Sequence, residues 1–118
     1  MKFVLMIYQR ATPLPDSESW QALSEAEQKA IYEDYAEVNR TEGVVGQGLP
    51  LGLPEAARTV QVRDGKTHVK SGTHLEEGVG GFTVYEAESM EAAIALAARI
   101  PAARLGGAVE IRPAEKYW

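Results

Sequence analysis

The chain predicts an α+β domain, a two-layer sandwich in which an antiparallel sheet carries two helices on one face. Three observations lead there. A nearly all-apolar run, Phe3 to Tyr8, opens the chain as a strand. Asp64-Gly65 stands between two alternating runs, the strongest short hairpin signal a sequence offers. Gly80 to Pro113 then reads as a glycine-opened strand, a capped alanine-rich helix and a closing strand. With 118 residues, 1–118 make one domain with one core.

In order along the chain, Phe3 to Tyr8 is apolar at every position, so both faces of this strand require cover. The run is too short for a signal peptide or a membrane span and is read as a buried strand. Ala11 to Ser19, with Pro13 and Pro15, is a loop in which Trp20 serves as an anchor and Glu18 to Leu23 adds a short turn. Ser24 and Glu27 form a capping-box pattern. Leu23, Ala26, Ala30, Ile31, Tyr35 and Val38 form a helical stripe that ends near Thr41 and Gly43. Val44 to Leu49 is a second strand, and Gly46, Gly48 and the closing Pro50 place it at an edge.

The hairpin spans Arg58 to Arg63 and Lys66 to Lys70, pairing Val62 with Thr67 and Val60 with Val69 on an apolar face. Gln61, Arg63, Lys66, His68 and Lys70 fall on the wet face. Gly81 to Glu86 is the next strand, with Phe82 and Val84 opposite Thr83 and Tyr85. Ser89 caps a helix whose apolar face includes Met90, Ala93, Ile94 and Ala97 and which ends at Pro101. Ala108 to Arg112 closes the sheet, with Val109 and Ile111 facing away from Glu110 and Arg112. The order β-α-β-β-β-α-β is that of a ferredoxin-like sandwich. Two helices cover only one face of such a sheet, yet the first strand is apolar on both. A second copy of the chain is the simplest cover, so a homodimer through the sheet face is expected.

Composition excludes several classes. A net charge of −5, with scattered basic residues, argues against nucleic acid as a partner. The absence of cysteine excludes disulfides, thiolate nucleophiles and cysteine metal sites, and fits a cytoplasmic protein. No apolar run implies a membrane, and no cofactor motif is seen; Gly78 to Gly81 lacks the lysine and helix of a phosphate loop.

KFVLMIY, VRDGKTHVKSG, GGFTVYEAESMEAAIALAARIPAAR and AVEIRP together resemble the YciI-related domain family, in particular its DGPF-type branch. The resemblance covers nearly the whole chain. It implies a dimeric α+β barrel from a bacterial, mostly uncharacterised group. Members are described as enzyme-like or as linked to transcription initiation through neighbouring sigma-factor genes, and a few act in small-molecule catabolism. The branch's Asp-Gly-Pro-Phe signature is degenerate: Ser71-Gly72-Thr73-His74 stands there, followed by Leu75-Glu76-Glu77-Gly78-Val79. The His-Asp pair proposed for the wider family does not transfer either, because no histidine precedes His68.

His74, beside Glu76 and Glu77, is the one candidate general acid/base; the plain alternative is a solvated loop histidine. His68 reads as a surface residue, and the two histidines match no metal pattern. Tyr8, Arg10, Tyr85, Glu110 and Arg112 are placed together on the face turned from the helices, where they would suit a small carboxylate or phenol; a structural ion pair of Glu110 is the alternative. Arg104 either binds a ligand or caps the last helical carbonyls. Tyr117 and Trp118 are expected to pack on a neighbouring surface. Two classes of function stay open. One is a homodimer with a small-molecule cleft between its sheets, possessing cofactor-independent isomerase- or lyase-like acid/base chemistry on a small organic acid or phenol. The other is a non-enzymatic accessory or regulatory module that binds a ligand or a transcription-related protein.

Overall fold

The computed structural model describes residues 1–15, 17–45 and 49–115. The strands are β1 (Lys2–Tyr8), β2 (Leu49–Pro50), β3 (Arg58–Arg63), β4 (Lys66–Ser71), β5 (Gly81–Glu86) and β6 (Ala108–Pro113). The helices are α1 (Glu18–Gln21), α2 (Glu25–Arg40), α3 (Met90–Ala97) and α4 (Pro101–Arg104). Four strands form one sheet in the order β2-β5-β1-β6, every pairing antiparallel. Numbered among themselves these strands run 2-3-1-4, the ferredoxin-like order read from its far edge.

The central strand sorts its residues by parity. Phe3, Leu5 and Ile7 point into the core under α2, α3 and α4, joined there by Val38, Ala93, Leu96, Ala97, Ile100 and Ala102. Full burial of a side chain such as Leu5 contributes about 1.5–3 kcal/mol. Val4, Met6 and Tyr8 point the other way and stay half-buried. Register places Val84 and Phe82 opposite Val4 and Met6 on β5, and Arg112 and Glu110 opposite them on β6. The sheet therefore has an open face that is apolar in the middle and charged at one side.

The helices start where the sequence signals them. Ser24 Oγ accepts from the Glu27 N–H at 3.1 Å while the Glu27 carboxylate accepts from Ser24, and α2 is capped at Thr41. Ile31, Tyr35 and Val38 form its inward stripe; Ala26 and Ala30 lie outside it and are exposed. Ser89 Oγ caps α3 through the Ala92 N–H. Leu96 rather than Ile94 completes the α3 core face, and Ile94 is exposed. Pro101 does more than stop a helix: it is the first residue of α4, where its missing N–H costs nothing.

Three further expectations are corrected. Of the strand expected over Val44 to Leu49, Val44 makes a single bridge to Tyr85, and residues 46–48 lie outside the described residues. The strand proper, β2, contains Pro50 instead of ending before it. Tyr85 lies opposite Phe3 and so faces the helices, not the open face. The hairpin has the predicted register, with Val60 opposite Val69 and Val62 opposite Thr67, and its turn residues Asp64 and Gly65 both have positive φ. It nevertheless forms a separate two-stranded sheet whose valine face is not covered: Val60, Val62 and Val69 are 59%, 67% and 63% exposed. The sheet ends on one side at β2, two residues long with a proline in it, which offers almost no ladder for a hairpin to join.

Candidate functional site

A cavity of about 260 Å³ lies between α2 and the sheet, beneath the loop that follows β1. Its walls are apolar, drawn chiefly from Ile7, Leu14, Trp20, Ile31, Val38 and Ile100. Trp20 closes one side: it is buried, meets Tyr32 edge-to-face with ring centroids 5.2 Å apart, and its carbonyl accepts from Gln28 Nε2 of α2 at 2.9 Å. Ser17 caps the short α1 that carries Trp20, through the Trp20 N–H.

Gln9, Tyr32, Tyr35, Asn39 and Thr83 bring polar groups to the lining of this greasy space. Tyr35 enters from α2, Thr83 from the inward face of β5, and Gln9 from the chain just past β1. Burial pushes the Tyr35 phenol above its ordinary value of 10.0. The Gln9 side chain, the Ala102 backbone and the Arg104 charge pull the other way without overcoming it. Tyr35 is thus held as a neutral hydrogen-bonding group at physiological pH. Gln9 Oε1 and Thr83 Oγ1 are buried and have no hydrogen-bond partner among the described residues. A buried polar atom left so costs about 1–3 kcal/mol, which a ligand offering a donor would recover.

Local backbone holds Gln9 in place. The Gly80 N–H donates to Ile7 O at 2.7 Å, bringing the entry of β5 against the end of β1. A Cβ at Gly80 would stand 2.3 Å from Gln9 Cγ, so this glycine makes the room in which Gln9 sits. One residue on, Arg10 adopts φ +49, and the Thr12 N–H closes the turn onto Gln9 O at 2.7 Å.

Beyond Gln9, Leu14 and Gly80, which both cavities share, a second groove of about 770 Å³ opens toward Leu51–Ala57 and Thr73–Val79. Arg10 and Glu77 line it and form an ion pair, Nε to Oε1, at 3.2 Å.

The residues proposed from sequence do not assemble into one site. Tyr8, Glu110 and Arg112 share the open face of the sheet, and no ion pair holds Glu110 or Arg112 among the described residues. Arg10 has left that face for the second groove, and Tyr85 lies in the core layer beside Gly43. Arg104 neither caps α4 nor reaches a cavity; it ion-pairs with Asp34 and ties α4 to α2. His74 is exposed, lines neither cavity, and its side chain makes no hydrogen bond or ion pair among the described residues. Tyr117 and Trp118 lie outside the described residues. Sequence reasoning missed Gln9, Tyr35 and Thr83 as site residues. Tyr35 was legible only as part of an apolar stripe, and Thr83 only as a residue on the side of its strand opposite Phe82 and Val84.

A family model matches residues 1–116. The chain belongs to the YCII-related domain family. The match takes in every element that builds the pocket, from β1 through β6. No curated protein matches this family member. Among the described residues, no helix is long and apolar enough to cross a membrane, and no three His, Asp or Glu side chains gather as metal ligands.

Proposed function

We propose that this YCII-related domain binds a small, uncharged, largely apolar molecule in the pocket between α2 and the sheet. The observation that carries the reading is the pair of unpartnered buried atoms, Gln9 Oε1 and Thr83 Oγ1, on two residues that line an apolar cavity beside a neutral Tyr35. None of the described lining residues is charged, which favours a phenol, alcohol or amide over an organic acid. A dry apolar cavity of about 150 Å³ accommodates benzene, so 260 Å³ suits a single substituted ring.

The reading is of a binding module, and no proton-transfer step is assigned to it. Tyr35 keeps its proton at neutral pH, and His74, the base expected from sequence, lines neither cavity. The domain acts as two copies, as the apolar row on the open sheet face supports, with Val4, Met6 and Val84 half-buried and Phe82 exposed. The DGPF-type branch is the part of the family whose sequence it most resembles, with that signature lost.

Titration with phenol, benzene and benzoate, followed by amide chemical shifts, tests the ligand class. Phenol is expected to bind about tenfold tighter than benzene, the worth of one or two neutral hydrogen bonds. Its shifts should centre on Gln9, Gly80 and Thr83, and Gln9→Leu should reduce its advantage over benzene. Benzoate binding more tightly than phenol, or shifts centred elsewhere, would refute the proposal.

A further inference from the structure

We infer that the β3–β4 hairpin is an arm that packs its valine face on a second copy of this chain, within the same interface that covers the open sheet face. The inference rests on the two-copy reading above and goes beyond it by adding the arm. A hairpin of two six-residue strands is at best marginally stable in water and needs a further strand or a packed surface. This one has neither among the described residues: every residue from Val60 to Ser71 is exposed. Register collects its apolar side chains on one face, Val60 against Val69 and Val62 against Thr67, while Arg63, Lys66, His68 and Lys70 share the other. A ribbon that is apolar on one side and basic on the other is built to lie on something.

Charge selects what that is. Arg58, Arg63, Lys66 and Lys70 against Asp64 give residues 58–71 a net charge of +3, so the rest of the chain, at −5 overall, carries −8. A basic arm is repelled by another arm and attracted by another body, which guides it toward the acidic remainder of a second copy. The apolar middle of the open sheet face, Val4, Met6, Phe82 and Val84, offers the second copy a greasy surface of the same kind. In an isologous pair each copy gives one arm and receives one.

Two measurements test the arm on the full chain. Sedimentation of the wild type and of the Val60→Ser/Val69→Ser variant gives the dimer dissociation constant. Burial of each valine is worth roughly 1.5 kcal/mol. An isologous pair buries two such valines from each arm, four in all, so the double variant should dissociate roughly ten-thousandfold more readily. Because the chain lacks cysteine, a nitroxide on His68→Cys marks the arm without touching its valine face. Mixed with isotope-labelled chain that carries no nitroxide, it should broaden amides of the labelled copy. An unchanged dissociation constant with no broadening between copies overturns the arm while leaving a sheet-face dimer standing. A monomeric wild type at micromolar concentration overturns both. Broadening abolished in favour of tight, salt-sensitive binding of duplex DNA by wild type, and lost in Lys66→Glu, would overturn the arm by reassigning it to nucleic acid.

Discussion

Replacing Thr83 by valine separates stability from binding at a single atom. Thr83 is 4% exposed on the inward face of β5, and its Oγ1 lies in the pocket wall without a partner among the described residues. Valine keeps the shape and exchanges that hydroxyl for a methyl. Releasing one unpaired buried hydroxyl is worth about 1–2 kcal/mol to the folded state. At about 2.1 cal/mol/K per residue, 118 residues have an unfolding entropy near 0.25 kcal/mol/K, so 1 kcal/mol moves the midpoint about 4 °C. Thr83→Val should therefore melt about 4–8 °C higher than the wild type, with the urea midpoint rising at constant slope. The same change should weaken phenol by about two- to tenfold, because the ligand loses one neutral hydrogen bond. Thr83→Ser is the control: it keeps the hydroxyl and loses a methyl, so it should destabilise and still bind. A Thr83→Val protein that is less stable by 1 kcal/mol or more would show that the hydroxyl already has a native partner. The pocket would then have one unpartnered polar atom, Gln9 Oε1, instead of two.

Tyr35 predicts an alkaline effect with a definite sign. Its folded pKa lies above the unfolded value of 10.0 because burial disfavours the phenolate. Its contribution to stability is complete below pH ~10 and is lost as pH rises through the folded value. Urea midpoints of Tyr35→Phe should accordingly fall less steeply than wild type between pH ~9 and ~11, and identical slopes would contradict the burial assigned to Tyr35. At Gly107, an added Cβ would stand 2.3 Å from the Tyr8 carbonyl oxygen and 2.9 Å from that of Ala102. Both are backbone atoms that cannot swing aside, so Gly107→Ala should cost about 3 kcal/mol by denaturant unfolding; a loss under 0.5 kcal/mol would mean that β6 enters the sheet differently.

How much could be read in advance differs by element, for physical reasons. The Ser24–Glu27 capping box and the Ser89 cap were legible because the contacts they make are local in sequence, three residues apart. The Asp64-Gly65 turn was legible because a two-residue loop with positive φ at both positions admits few other residues. Ile94 was misplaced because α3 is apolar nearly all round, and an alanine-rich helix gives periodicity little to discriminate. Tyr85 and Arg10 were placed on the open face because they look like companions of Tyr8. The register of β5 against β1, and the turn at Arg10, sent both elsewhere. Arg104 paired with Asp34, seventy residues away, a partner no local reading could name.

The candidate site was the least legible part. Gln9, Tyr35 and Thr83 come from a loop, a helix and a strand that share no spacing, and none is a residue type that announces chemistry. The sequence by itself determined most of the strands and helices, though not β2 or α4, and the shortage of cover for one apolar sheet face, because these follow from local propensity and a two- or 3.6-residue period. Which side of β5 faces the helices, and which polar atoms end up buried without partners between α2 and the sheet, was decided only by tertiary structure. A one-residue change of register exchanges the two faces of a strand, and nothing local to Thr83 or Gln9 records where the other chain segments stop.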